Sequence, residues 1–148
     1  MRAFHNVIMT VFCKQGEDPA LTEAKLCSFF PFEKERVKLG QQKATGFNDK
    51  AITVYDITLE KEAHITQFLR WLLDTLNMDQ KAMILRQLES RLDDELTFFI
   101  RFDKKAWNEE GRLFIIDHGD CYHLKMRVAA YPKTRNAALK VLHELFKA

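Results

Sequence analysis

Cysteine is scarce in this chain, and long apolar runs are missing from it. The three cysteines, Cys13, Cys27 and Cys121, are an odd number, lie far apart and include no Cys-x-x-Cys pair. That spacing argues against a disulfide framework and against a structural zinc site, and it suits a reducing cytosol. No stretch approaches the length of a membrane span. Apolar side chains occur among the first residues, but His5, Asn6 and Thr10 interrupt them, so no signal peptide is read there. Cytoplasmic residence is the expectation that remains. The short signatures of familiar chemistry are absent too: a Gly-rich phosphate loop, a Gly-x-Ser-x-Gly elbow, a His-Glu-x-x-His pair and a dinucleotide fingerprint. There is no linker, internal repeat or low-complexity tract.

What is present is an ordinary globular composition. The 148 residues, 47% hydrophobic and 30% charged, suffice for one domain, 1–148, with a core of its own. Twelve Phe side chains should supply much of that core. Charge is unevenly distributed. From 96 to 148, ten Lys and Arg oppose six Asp and Glu, a net of +4; from 51 to 95, five oppose nine, a net of −4. The overall +2 therefore conceals a basic end and an acidic middle. A local basic surface on a folded sheet attracts a polyanion such as RNA.

Periodicity predicts the elements. Residues 4–13 read as a strand carrying Val7, Ile8, Val11 and Phe12. Asp18-Pro19 offers an N-cap and a proline at the first helical position, opening a helix over 19–30 with Leu21, Ala24, Cys27 and either Leu26 or Phe30 inward. Residues 36–44 and 51–59 are expected to pair as a hairpin through a turn at Gly46-Phe47-Asn48-Asp49. Ile65, Phe68, Leu69, Leu72, Leu73 and Leu76 form the apolar face of the clearest helix. A second helix, capped by Asp79, turns Ile84, Leu85, Leu88 and Leu92 inward. Leu96, Phe98, Ile100 and Phe102 alternate with Thr97, Phe99 and Arg101, the pattern of a half-buried strand. Strands over 112–117 and 122–130 are expected to make a hairpin around His118-Gly119-Asp120. Thr134 caps a last helix. The order β-α-β-β-α-α-β-β-β-α defines an α+β fold, a mostly antiparallel sheet with helices on one face and the other face open to solvent or a ligand.

Three groups of residues carry candidate chemistry. On the open face of the late strands, Phe99, Arg101, His123, Lys125 and Arg127 combine phosphate-binding cations with a ring able to stack a base. The alternative is a solvated strand face with Phe99 beneath a loop. The segment from Asp117 to His123 gathers two carboxylates, two imidazoles and a thiol, but His118 and His123 straddle a turn, so a plain Asp-Gly turn is the competing reading. Around the last helix, Lys133, Arg135 and Lys140 stand near a helix N-terminus, a place that holds phosphate; an exposed helix face is the alternative. No cofactor or metal is expected.

Several of these residues resemble those of the archaeal predicted exosome-associated RNA-binding proteins. The matching pieces are Leu92-Asp93-Asp94-Glu95, Phe99-Ile100-Arg101-Phe102-Asp103-Lys104, Gly119-Asp120, and the strand from Leu124 to Pro132, with a further likeness at His5-Asn6-Val7-Ile8. The family's Gly-Asn-Pro-Ile type turn is replaced here by Gly46-Phe47-Asn48-Asp49. The resemblance implies a fold similar to the ribosomal protein that holds 5S RNA, and a non-catalytic role near RNA processing or ribosome maturation. It places Arg101, Lys104, Lys125 and Arg127 at the RNA. Together with Phe99, Lys133 and Arg135 they form the expected site, with RNA as partner and exosome or ribosomal components beside it. Two other functions compete. One is a scaffold subunit that binds a partner or a second copy through a sheet edge or the acidic helix pair. The other is a small enzyme using Asp117, His118 and Asp120.

Overall fold

The computed structural model describes residues 2–32, 38–45 and 50–147. The turn expected at 46–49 lies outside them. In chain order the elements are β1 (Phe4–Lys14), α1 (Pro19–Cys27), β2 (Lys38–Thr45), β3 (Ala51–Leu59), α2 (Glu62–Thr75), α3 (Met78–Arg86), α4 (Leu88–Arg91), β4 (Thr97–Asp103), α5 (Lys104–Glu110), β5 (Ile115–Ile116), β6 (Cys121–Val128) and α6 (Arg135–Phe146). The six strands form one antiparallel sheet in the order β2-β3-β1-β6-β4-β5, so the α+β reading holds. β2 and β3 pair from Lys38↔Thr58 to Thr45↔Ala51, the expected hairpin.

Local chemistry explains the element ends. Asp18 caps α1 by accepting from the Ala20 N–H, with Pro19 at the first helical position. α1 is shorter than expected. Beyond it, Phe29 N donates to Leu26 O and Phe30 N to Cys27 O, a tighter turn that delivers both Phe rings to the core. The inward face of α1 is Thr22 and Leu26, while Leu21 and Ala24 face outward. The cap of α3 is Asn77 rather than Asp79. The Asn77 side chain accepts from Gln80 N at 2.8 Å, and the Gln80 amide accepts from Asn77 N at 3.0 Å, a reciprocal capping box. The helix predicted after it is split at Gln87 into α3 and α4. α5 ends at Gly111, whose φ of 63° is the left-handed conformation glycine adopts at least cost.

One pairing differs from expectation. β5 pairs with β4, through Arg101↔Ile116 and Phe102↔Ile115, and is not the hairpin partner of β6. The Asp103 N–H donates to Phe114 O at 2.7 Å and so fastens the segment before β5 to the end of β4.

The chain divides into two compact units, one of Met1–Val7, Glu60–Ile100 and Lys125–Ala148, the other of Ile8–Leu59 and Arg101–Leu124. In the first, Phe98 of β4 lies against Phe146 of α6 with ring centroids 5.7 Å apart, and Phe68, Leu72, Ile84 and Leu142 are buried as well. In the second, Phe29 stacks on Trp107 of α5 at 4.1 Å and contacts Phe102 and Tyr122. Burying each such side chain contributes about 1.5–3 kcal/mol. Strict alternation results along the strands. Phe98, Ile100 and Phe102 of β4 and Tyr122, Leu124, Met126 and Val128 of β6 are buried, and the residues between them are half-buried or exposed.

Candidate nucleic-acid interface

In the first unit, the outward row of β6 continues through Arg127 into the segment before α6. Arg127, Lys133 and Arg135 line a recess of about 460 Å³ together with Asp93, Asp94, Glu95 and Leu96. The charge segregation of the sequence is thus not kept in space. The turn Asp93–Leu96 comes from the acidic middle, and its three carboxylates share a recess with three cations of the basic end. Asp93 is committed to the turn itself, since its Oδ1 accepts from the N–H groups of Glu95 and Thr97, each at 2.9 Å. Leu96 closes the turn at a φ of 64°, a left-handed leucine, and its carbonyl accepts from Val128 N at 2.9 Å.

A neighbouring recess of about 340 Å³ shares Arg127, Lys133, Glu95 and Leu96, and adds His5, Asn6 and Tyr131. Its balance is positive, with Arg127 and Lys133 against Glu95 alone. Tyr131 is 74% exposed and meets His5 edge to face, ring centroids 6.2 Å apart and planes at 89°. Among the described residues no ion pair engages Arg127 or Lys133. An exposed ring beside two uncommitted cations is the arrangement that stacks a base and holds its phosphate.

The other expected residues fall into three situations. Lys125 and Phe99 are half-buried in the outward rows of β6 and β4, and the Phe99 carbonyl accepts from Arg91 Nη1 at 3.3 Å. Arg135 lines the first recess, but its guanidinium is spent on backbone. It donates to Leu92 O at 3.0 Å, Asp93 O at 3.5 Å and Glu89 O at 2.6 Å, closing the C-terminal end of α4. Arg101 belongs to the second unit, where it lines a groove of about 450 Å³ with Thr10, Phe12, Lys14, Asp120, Cys121 and His123.

Lys104 is corrected outright. It was expected at the RNA, and it is 3% exposed. Its ammonium donates to Phe12 O at 2.6 Å and to Glu17 Oε1 at 2.9 Å, with Asp120 Oδ2 at 3.6 Å. The sequence contains the reason. Lys104 continues the inward parity of Phe98, Ile100 and Phe102, so a cation enters the core layer and must find partners there. Phe12 was overlooked for the converse reason. β1 buries Val7, Met9, Val11 and Cys13, which leaves Phe12 outward and 49% exposed.

The remaining candidates are placed plainly. Thr134 caps α6 by accepting from Ala137 N at 3.2 Å, and Lys140 is exposed on that helix. Asp117 and His118 are exposed, Asp120 joins the Lys104 cluster, and burial pushes the Cys121 thiol up from its ordinary value. Among the described residues no group of three or more His, Cys, Asp or Glu side chains is placed to hold a metal ion, and no helix is long and apolar enough to cross a membrane. Among the described residues the three cysteines form no disulfide.

Residues 6–128 match the family described as RNA binding, and the chain belongs to that family. It is 28% identical over 143 residues to RNA-binding protein PAB1135 of Pyrococcus abyssi, covering 95% of this chain and 92% of that protein. Among solved structures it is similar to protein AF2318 of Archaeoglobus fulgidus, assigned to the family DUF54. That likeness has 27% identity and a TM-score of 0.86 over 96% of this chain and 99% of the other. Mth689 of Methanothermobacter thermautotrophicus, at 24% identity and a TM-score of 0.80 over 97% and 98% of the two chains, shares the fold.

Proposed function

We propose that this protein is a non-catalytic RNA-binding accessory factor. Arg127 and Lys133 hold the RNA backbone, and Tyr131 stacks an unpaired base between them. The observation that carries the reading is the exposure of Tyr131 beside two cations with no ion-pair partner among the described residues. Family membership supports the ligand class, and the name of the Pyrococcus abyssi relative points the same way. Lys125 extends the cationic set along β6, and Arg135 shapes the recess without spending its charge on RNA.

The finer reading is a cytoplasmic single-domain factor that acts with exosome or ribosomal components in RNA processing or ribosome maturation, on a fold of the ribosomal 5S-RNA-binding kind. Recovery from cell extract with and without ribonuclease tests it. Components lost on ribonuclease treatment fit a factor tethered by RNA. Components that persist favour the scaffold reading, in which the exposed β2, terminal in the sheet order, pairs with a partner or a second copy. For the RNA contact itself, Tyr131→Leu should weaken binding of a short unpaired RNA about tenfold. Unchanged affinity in that variant removes Tyr131 from the interface.

A further inference from the structure

The groove of the second unit is not used by the function proposed above, and it has the parts of a second contact. At about 450 Å³ it falls within the size of small-ligand clefts, roughly 300–1,000 Å³. One wall is the Phe12 ring, 49% exposed on the outward side of β1. Two cations, Arg101 and Lys14, line the same groove. Arg101 makes no ion pair among the described residues, and Lys14 makes a long one to Asp120, at 3.5 Å and well exposed. Thr10, Cys121 and His123 add small polar groups to the lining.

The groove is also held in shape from beneath. Lys104 donates to the Phe12 carbonyl and to Glu17, and its backbone N–H donates to Asp120 O at 3.2 Å. Glu17 in turn accepts from Lys14 N at 2.8 Å. One buried ammonium therefore ties together the end of β1, the loop before α1 and the turn before β6, which carry Phe12, Lys14 and Asp120.

We propose that the groove seats one unpaired nucleotide of an RNA strand, its base stacked on Phe12 and its phosphate held by Arg101 and Lys14. The proposal rests on the RNA-binding reading above and gives it a second contact and a preference. A base already stacked within a duplex cannot present its face to the ring, whereas a single strand can.

The test measures binding of the full-length protein to fluorescein-labelled oligouridine and to a blunt RNA duplex. Phe12→Leu should weaken oligouridine binding about tenfold and leave duplex binding unchanged, and Phe12→Tyr should restore it. Arg101→Gln should reduce the salt slope for oligouridine by about 0.7, the loss of one single-strand phosphate contact. If Phe12→Leu and Arg101→Gln both behave as wild type while Arg127→Gln weakens oligouridine binding, the groove proposal is overturned and the RNA-binding reading stands. If the wild-type protein binds neither RNA, both fall. An equal loss on oligouridine and duplex overturns the unpaired-base assignment.

Discussion

Lys104 and Glu17 form an ion pair across 87 positions of sequence, Nζ to Oε1 at 2.9 Å, with the ammonium buried and the carboxylate partly open to solvent. The lysine stem fills a core position, and its head finds a carbonyl and two carboxylates. Lys104→Met keeps the stem and removes the head, leaving Phe12 O without its donor. Such a loss costs about 1–3 kcal/mol. The melting temperature of the variant should fall by a few degrees, while the salt slope of RNA binding stays at the wild-type value because this charge does not face solvent.

The same pair sets an acid limit. Partial burial works to raise the Glu17 carboxyl, but the Lys14 N–H and the Lys104 ammonium outweigh it and hold the group below its usual 4.5. A depressed folded value contributes stability that is complete above about 4.5 and lost as the pH falls through that lower value. Glu17→Gln should therefore be less stable than wild type at neutral pH, and the gap should narrow below pH 4.5. Urea denaturation at several pH values measures it, and a gap that does not change with pH contradicts the assignment.

Trp107 anchors α5 by two means. Its ring stacks on Phe29, and its indole N–H is shared between Lys25 O at 3.0 Å and Ser28 Oγ at 3.1 Å. Trp107→Phe keeps most of the apolar area and loses the donor, at about 1 kcal/mol; Trp107→Ala should cost about 3–5 kcal/mol. Chemical denaturation separates the two variants.

The two tryptophans report separately, Trp71 in the first unit and Trp107 in the second. β1, β4 and β6 each contribute residues to both units. On the one-domain reading, Trp71→Phe and Trp107→Phe proteins, each followed through the remaining tryptophan, should show a fluorescence transition that coincides with the far-ultraviolet circular dichroism of the same protein. Separated midpoints within either variant would indicate two cooperative units.

Much of the fold was legible because its cues are local. The apolar stripe of α2, the Asp18-Pro19 start of α1 and the alternation along β4 and β6 appear where expected. Pairing was less legible. A short turn between two strands suggests a hairpin, yet β5 is bonded to β4, since the choice depends on the path of α5 and on the Asp103–Phe114 hydrogen bond. The placement of the candidate residues was legible only in part. Residue type marks a cation, but only the backbone decides whether it points out, as Arg127 does, closes a helix end like Arg135, or enters the core like Lys104. Extending the β4 parity by two residues would have placed Lys104 inside. No local pattern announces that Asp93–Leu96 shares a recess with Arg127 and Lys133, because the two segments are distant in sequence.

The most direct test of the central claim is the slope of log affinity against log salt for an unpaired RNA, measured for wild type and for the double variant Arg127→Gln, Lys133→Gln. Two lost phosphate contacts on a single strand should lower the slope by about 1.4 and weaken binding at every salt concentration. A double variant with the wild-type slope and affinity would contradict the account.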